Sequence, residues 1–207
     1  LPLTEGQREI WMASQMSPAA SAAFNESCHL HFRGSFDVPA MTSAIAQVIC
    51  RHDALRASFR AADGAQVFAP ALDLDVPMQD FSALSAEARE VRLEALLDAE
   101  GARVFDLEHG PVLACQIVRL TPGEHLLVFT AHHIACDGWS YDIVLRELAH
   151  LYSTPGQPLP PARQFASHLR EDQSAGAGAA AAYWRAQYRT IPPALDLPSD
   201  RPRPSRR

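Results

Sequence analysis

Apolar residues recur along the chain with two different periods, which together predict alternating helices and strands. Thr4 followed by Gln7 is typical of a capping box at the start of a helix. Asp37 followed by Pro39 marks the start of a second helix. Spacing of three or four residues between apolar positions predicts helices after Thr4, after Asp37, at about residues 85–100 and at residues 140–153, with two weaker helical segments after the proline-rich stretch 154–163.

Period-two alternation predicts the strands. At about residues 26–34, Cys28, Leu30 and Phe32 alternate with polar neighbours. Two pairs of strands flank turn signals: Asp63-Gly64 in the first, and Pro122-Gly123, which suits the centre of a type II turn, in the second. Helices interleaved with antiparallel hairpins predict an α/β fold, a two-layer structure in which helices pack on one mixed β-sheet.

Composition limits the classes of function. The chain has 207 residues and 47% hydrophobic residues, enough for one domain, or a lobe of something larger, with a packed core. A net charge of −6 argues against a nucleic-acid partner, and no apolar run approaches the roughly 20 residues that cross a membrane. All 18 basic residues are arginine, which excludes a lysine nucleophile or Schiff base.

The cysteines and the first residues bear on the cellular location. The four cysteines are scattered, without C-x-x-C or metal-ligand spacing, and we predict no metal site and a reducing, cytoplasmic location. The start, LPLTEGQREIW, lacks the basic and apolar regions of a signal peptide. It is also unlike a translation start, so we expect the chain to be a piece of a longer protein.

The candidate chemistry lies in the stretch TAHHIACDGWS, residues 130–140, which follows an apolar strand. Neighbouring strand side chains point to opposite faces, so His132 and His133 cannot both face one cavity. Either the pair and the following Asp137-Gly138 only end a strand and form a turn, or one histidine carries chemistry. The spacing H-H-x-x-x-D-G favours the second interpretation.

That spacing resembles the signature of condensation domains of nonribosomal peptide synthetases, in the chloramphenicol-acetyltransferase-like superfamily. LPLTEGQREIW resembles the first core motif of the family, RHDALRASF the second, and YWRAQY with LDLPSDRPRP resembles the segment that leads into the second lobe. Three departures stand out: Cys136 before the aspartate, Asp53 where glutamate is commoner, and a poorly kept fourth motif in ARQFASHL.

The resemblance implies a chloramphenicol-acetyltransferase-like N-terminal lobe at residues 1–175. Residues 176–207 would form a helix and a proline- and arginine-rich connector to a C-terminal lobe absent from this chain. The resemblance also implies an acyltransferase that forms an amide between an acyl or peptidyl thioester and an aminoacyl amine, in nonribosomal peptide or hybrid polyketide biosynthesis. Both substrates would be tethered by 4'-phosphopantetheine to donor and acceptor carrier domains, and this domain itself would bind no cofactor.

The same resemblance assigns roles to the motif residues. His133 would lie in the tunnel between the lobes, within reach of the attacking amine, as a general base or as a positioning group. We assign His132 to structural support. Asp137 would form a buried ion pair with Arg56, with Arg51 as the second choice, and loss of one partner of such a pair costs about 3 to 5 kcal/mol.

Two further residues of the motif receive predictions. Gly138 is expected to permit a tight or left-handed backbone. Trp139, a possible site residue, is expected to pack rather than to bind.

Other functions remain open on the sequence alone. An epimerisation domain usually precedes the aspartate of the second motif with two histidines, whereas this chain has Arg51-His52. A free-standing acyltransferase that uses coenzyme A would want a basic patch for the nucleotide phosphates. The chain could also be a folding unit that binds a carrier domain and, without a second lobe, catalyses nothing.

Overall fold

Local sequence signals explain where the helices begin. In the computed structural model, which describes residues 1–60, 64–172, 177–193 and 198, Thr4 and Gln7 form the predicted capping box and Asp37 caps the second long helix. The α-helices are Glu5–Ser14 (α1), Pro18–Ala22 (α2), Val38–Arg51 (α3), Ala86–Gly101 (α4), Gly138–Ser153 (α5), Phe165–Asp172 (α6) and Ala177–Gln187 (α7). A 3-10 turn, Asp53–Arg56, follows α3.

The strands form a four-stranded sheet and a separate hairpin. The strands are Asn25–Arg33 (β1), Ala57–Arg60 (β2), Ala65–Phe68 (β3), Met78–Asp80 (β4), Leu113–Thr121 (β5) and Glu124–His132 (β6). The larger sheet has the order β1-β6-β5-β4, with β4 parallel to β5 and the other pairs antiparallel. This mixed sheet confirms the predicted α/β class.

Alternate residues of β5 and β6 pack against helices on opposite faces of the sheet. Ile117 and Leu127 lie in a core with α3 and α5, whereas Val118 and Val128 lie in a core with Leu96 of α4. The sheet is therefore covered on both sides, and the structure has three layers where two were expected. A third cluster of buried residues lies under the β2–β3 hairpin, near the end of β6: Leu3, Ala57, Phe59, Phe105, Leu107, Val112 and Ile134.

Several local predictions need correction. The β2–β3 hairpin forms its own two-stranded sheet rather than joining the main one, and the short β4 was not predicted. Gly123 is not among the glycines with positive φ, so the turn between β5 and β6 is not type II. Gly64 has φ of +59° in the turn of the first hairpin, while Asp63 lies outside the described residues.

The chain divides into two compact units, Leu1–Arg170 and Glu171–Arg207. The boundary predicted between residues 175 and 176, and the arginine-rich end at 201–207, lie outside the described residues. Among the helices that the structure describes, none is long and apolar enough to span a membrane. All four cysteines are free, and Cys50 is exposed on α3.

Candidate active site

The first histidine of the pair ends β6 inside the protein. His132 is fully buried, at 0% exposure, and its backbone N–H donates to the carbonyl of Val112 at 2.9 Å. Its Nδ1 accepts the backbone N–H of Ile134 at 3.3 Å, and its Nε2 lies 3.5 Å from Ser14 Oγ and 3.4 Å from Ser21 Oγ. An Nδ1 that accepts carries no proton, so neutral His132 is the Nε2–H tautomer that donates towards the two serines.

Burial makes His132 a poor base. Desolvation lowers the pKa of His132 to about 4, and this effect outweighs a contact with Ser21 that raises the value. The ring therefore stays neutral at physiological pH. Its contacts join the end of β6 to α1 and α2.

The second histidine lies in a different environment, as strand alternation predicts. The side chain of His133 is 37% exposed, and its backbone N–H donates to the carbonyl of Phe24 at 2.8 Å. Its Nδ1 is shielded from solvent and lies 3.0 Å from Oε1 of Glu26, an ion-pair distance without the alignment of a hydrogen bond. Within the described part of the chain, its Nε2 has no hydrogen-bond partner.

A small cavity borders His133. It has a volume of about 190 Å³ and runs along the motif loop from His133 to Asp137, with walls from the β2–β3 hairpin and from Phe165. Gln7 fixes this wall, because its amide forms a reciprocal pair with Gln66 and also donates to the carbonyl of Ile134 at 3.2 Å. The lining of the cavity is mainly apolar, its polar members are Gln7, Gln66, Asp137 and Ser140, and the partly exposed imidazole of His133 lies at its edge.

Asp137 starts α5 as its N-cap. Its carboxylate accepts the backbone N–H of Ser140 at 2.8 Å and the hydroxyl of Ser140 at 2.7 Å. These hydrogen bonds lower the pKa of Asp137, with a smaller contribution from the charge of His133. The carboxylate is exposed, so water solvates it and no buried cation is required.

The predicted ion pair between Asp137 and Arg56 is wrong. The guanidinium of Arg56 donates to the carbonyl of Ile49 in the last turn of α3 at 2.5 Å and to the carbonyl of Ala69, just after β3, at 2.9 Å. Arg51, the second choice, pairs with Glu147 of α5 through two hydrogen bonds at 2.9 and 3.1 Å. Both arginines therefore fasten α3 to its neighbours and leave the motif loop alone.

The expectations for Gly138 and Trp139 also need correction. Gly138 does not have positive φ, and a Cβ built on it meets nothing within 4 Å, so the backbone does not require glycine. Trp139 is 81% exposed and does not pack in the core. Both residues face open space at the first turn of α5.

Sequence reasoning missed Glu26 and Tyr141 at the site. The Tyr141 hydroxyl donates to the carbonyl of Glu26 at 2.5 Å and accepts the N–H of Ala131 at 3.0 Å, so α5 holds the edge of β1 and β6 together. Burial raises the pKa of Tyr141, which keeps this hydroxyl protonated. No sequence signal placed Glu26 beside the motif, because the contact depends on the register between two strands a hundred residues apart.

Comparison with known families agrees with the sequence resemblance. The family model described as Condensation domain matches residues 1–207. Chondramide synthase cmdD of Chondromyces crocatus is 33% identical over 216 residues, covering 99% of this chain and 6% of that protein. Phosphinothricin tripeptide synthetase PhsC of Streptomyces viridochromogenes is 33% identical over 217 residues, covering 99% of this chain and 20% of that protein.

Solved structures share the fold. The EpoB NRPS cyclization-docking bidomain from Sorangium cellulosum superimposes with a TM-score of 0.84 at 26% identity, covering 98% of this chain and 41% of that one. The complex of the X-domain and OxyB from teicoplanin biosynthesis matches with a TM-score of 0.82 at 29% identity, covering 99% and 46%. The chain thus spans less than half the length of these solved relatives and a fifth or less of the two synthetases.

The buried state of His132 predicts a pH dependence of stability. The unfolded chain binds a proton on His132 near pH 6.5, whereas the folded chain does so only near pH 4, so stability falls as pH drops between these values. The free energy of unfolding falls by up to about 1.4 kcal/mol for each pH unit. Urea unfolding of wild type and His132→Gln between these pH values measures how the free energy of unfolding depends on pH. Burial also lowers the pKa of His125, so the difference between the two slopes gives the contribution of His132 alone.

Equal slopes in wild type and His132→Gln would contradict the buried, neutral state of this ring. His125→Phe, which preserves the stacking on Phe36, is the control. It removes the smaller contribution of His125 and leaves that of His132 in place.

The capping role of Asp137 predicts a modest effect of its loss. Asp137→Ala should lower the free energy of unfolding by about 1 kcal/mol at neutral pH, the usual value for an N-cap. Because the folded pKa of Asp137 is lowered, this difference shrinks as pH falls below the ordinary value of 3.8. Asp137→Asn should retain most of the stability, and Gly138→Ala is the matched control in the same turn. A loss of 3 kcal/mol or more (about the cost of breaking a buried ion pair) would show that the aspartate is paired after all.

Proposed function

Because this chain belongs to the condensation-domain family, we propose that it supplies the histidine lobe of an enzyme that forms amide bonds. The acyl or peptidyl donor is a thioester on a donor carrier domain, and the acceptor is an aminoacyl amine on an acceptor carrier domain. One observation carries the proposal: His133 borders a mainly apolar cavity. One of its ring nitrogens is shielded beside a carboxylate, and the other has no hydrogen-bond partner among the described residues.

The reaction balances with His133 as the proton carrier. The amine nitrogen attacks the thioester carbonyl, so a C–N bond forms and the C–S bond breaks. The amine proton passes to Nε2 of His133 and then to the departing thiolate, which leaves as a thiol. Proton transfer of this kind contributes about 10² to 10⁴-fold.

Positioning of the amine is the other contribution. An α-amino group has a pKa of roughly 8, so a useful fraction is neutral near pH 7 before any base acts. A hydrogen bond from the amine to Nε2 holds it against the thioester, and well-oriented reactants gain up to about 7 to 11 kcal/mol. We therefore assign His133 a positioning hydrogen bond with partial proton acceptance.

The 4'-phosphopantetheine arms belong to the carrier domains and enter as the tethers of the substrates. The second wall of the tunnel comes from a C-terminal lobe, and activity requires it. Support for this division comes from the lengths of the solved relatives, since this chain covers less than half of each of the two described above. The neighbouring partners are therefore the second lobe, two carrier domains and adjoining synthetase modules.

Alternative functions differ in what they require of the site. His132-His133 argues against heterocyclisation, which carries aspartates at these positions in the family. Arg51-His52 favours condensation over epimerisation. A transferase that uses coenzyme A would want a basic patch for the nucleotide phosphates, and a chain with a net charge of −6 and no lysine does not indicate one. A free-standing transferase that uses coenzyme A is therefore the weaker candidate.

His133→Ala tests the proposal in a protein that carries these residues followed by a second lobe. We expect the single-turnover rate of amide formation with carrier-bound substrates to fall by about 100-fold, with a loss that changes with pH. His31→Ala, which removes an exposed histidine of β1, should leave the rate unchanged.

Three outcomes count against parts of this account. A small, pH-independent loss would exclude a dominant base. Equal turnover with a coenzyme A thioester in place of the carrier-bound donor would support the free-standing transferase. Full activity of the 207-residue chain by itself would remove the need for a second lobe.

A further inference from the structure

The register between β1 and β6 brings a carboxylate to the second histidine of the motif. β1 pairs antiparallel with β6, so Glu26 lies opposite Ala131 and Asn25 opposite His132. The hydrogen bond from His133 to the carbonyl of Phe24 continues this ladder one residue past the strand end. The backbone positions of Glu26 and His133 are therefore fixed by the sheet itself.

A carboxylate oxygen lies beside the shielded nitrogen of the imidazole. Oε1 of Glu26 lies 3.0 Å from Nδ1 of His133, and Nδ1 is shielded from solvent. The contact is not aligned as a hydrogen bond, but a carboxylate oxygen at this distance attracts the partial positive charge of an N–H and repels the lone pair of an unprotonated nitrogen. This charge interaction favours a proton on Nδ1, which leaves the lone pair of neutral His133 on Nε2.

In the part of the chain that the structure describes, the carboxylate of Asp137 also interacts with His133. Both of its interactions with Ser140 occupy Oδ1, and Ser140 belongs to the first turn of α5. Asp137 acts on His133 through charge alone, whereas Glu26 touches the ring. His132 contributes no charge, since it is neutral at physiological pH.

We propose that Glu26 is a positioning residue for His133: its carboxylate holds the imidazole in the Nδ1–H tautomer, so that Nε2 presents its lone pair to the substrate amine. The second half of this statement rests on the proposed function. The first half is a property of the chain itself, and it requires no substrate.

Nitrogen NMR of the 207-residue chain tests the tautomer directly. In the neutral state of the ring, the nitrogens of wild-type His133 should show protonated Nδ1 and unprotonated Nε2. Glu26→Leu removes the acceptor and should shift the population towards Nε2–H. Glu26→Gln introduces an amide whose oxygen can accept a hydrogen bond from Nδ1–H and whose NH₂ can donate one to an unprotonated Nδ1. It should therefore give an intermediate population of the two tautomers.

Glu124→Leu is the matched control. Glu124 lies at the opposite end of the same strand pair, on β6 beside Arg33 of β1, and its side chain has a similar exposure, 37% against 39% for Glu26. This variant should leave the His133 spectrum unchanged. Amide spectra of β1 and β6 in each variant verify that the ladder is intact.

Turnover provides the second readout, in the protein that includes a second lobe. Glu26→Leu should lower kcat for amide formation by about tenfold with little change in KM, because Glu26 orients the histidine without touching substrate. Glu26→Gln should restore part of the rate.

Wild-type His133 in the Nε2–H form, or identical His133 spectra in wild type and Glu26→Leu, would overturn the proposal. If the spectra behave as expected but no amide forms in any wild-type protein with a second lobe, the proposed function fails while the tautomer assignment stands.

Discussion

The arrangement of the site depends on one buried, uncharged imidazole. His132 fills the interior at the end of β6, where Ile134 donates to one ring nitrogen and two serines of α1 and α2 lie near the other. With this ring held inside, the backbone directs the next side chain, His133, towards the surface and the cavity. An exposed or protonated His132 would break the connection between the sheet and the first two helices, because a buried imidazolium without a partner is strongly disfavoured.

The loop that follows is held by hydrogen bonds instead of a buried ion pair. Gln7 donates to the carbonyl of Ile134, and Asp137 caps α5 through Ser140. Charged pairs lie further away, where Arg51 joins α3 to Glu147 of α5. Burial raises the pKa of Glu147, but the hydrogen bonds from Arg51 and His52 together lower it, so the pair is formed at neutral pH. The ion pair between Arg51 and Glu147 thus positions the helices, whereas at the site the carboxylate of Glu26 contacts His133.

Sequence alone predicted the features that depend on local chemistry. The capping box at Thr4, the cap at Asp37 and the alternation in β1 follow from hydrogen bonds and side-chain periods within a few residues, and the structure confirms them. The features that depend on distant pairing were missed or wrong. The sequence offers several possible hydrogen-bond acceptors for Arg56, and only the fold shows that its guanidinium donates to carbonyls at the end of α3. Glu26 meets His133 only because of the register of β1 on β6, which no local pattern encodes.

The central claim, that the two adjacent histidines occupy opposite environments, can be tested by chemical modification of the native 207-residue chain. Diethyl pyrocarbonate acylates accessible, neutral imidazoles, and peptide mass spectrometry with fragmentation distinguishes His132 from His133. We predict rapid modification of His133 in the folded chain and modification of His132 only after unfolding in urea. Modification of both histidines at the same rate, or of His132 first, would contradict it.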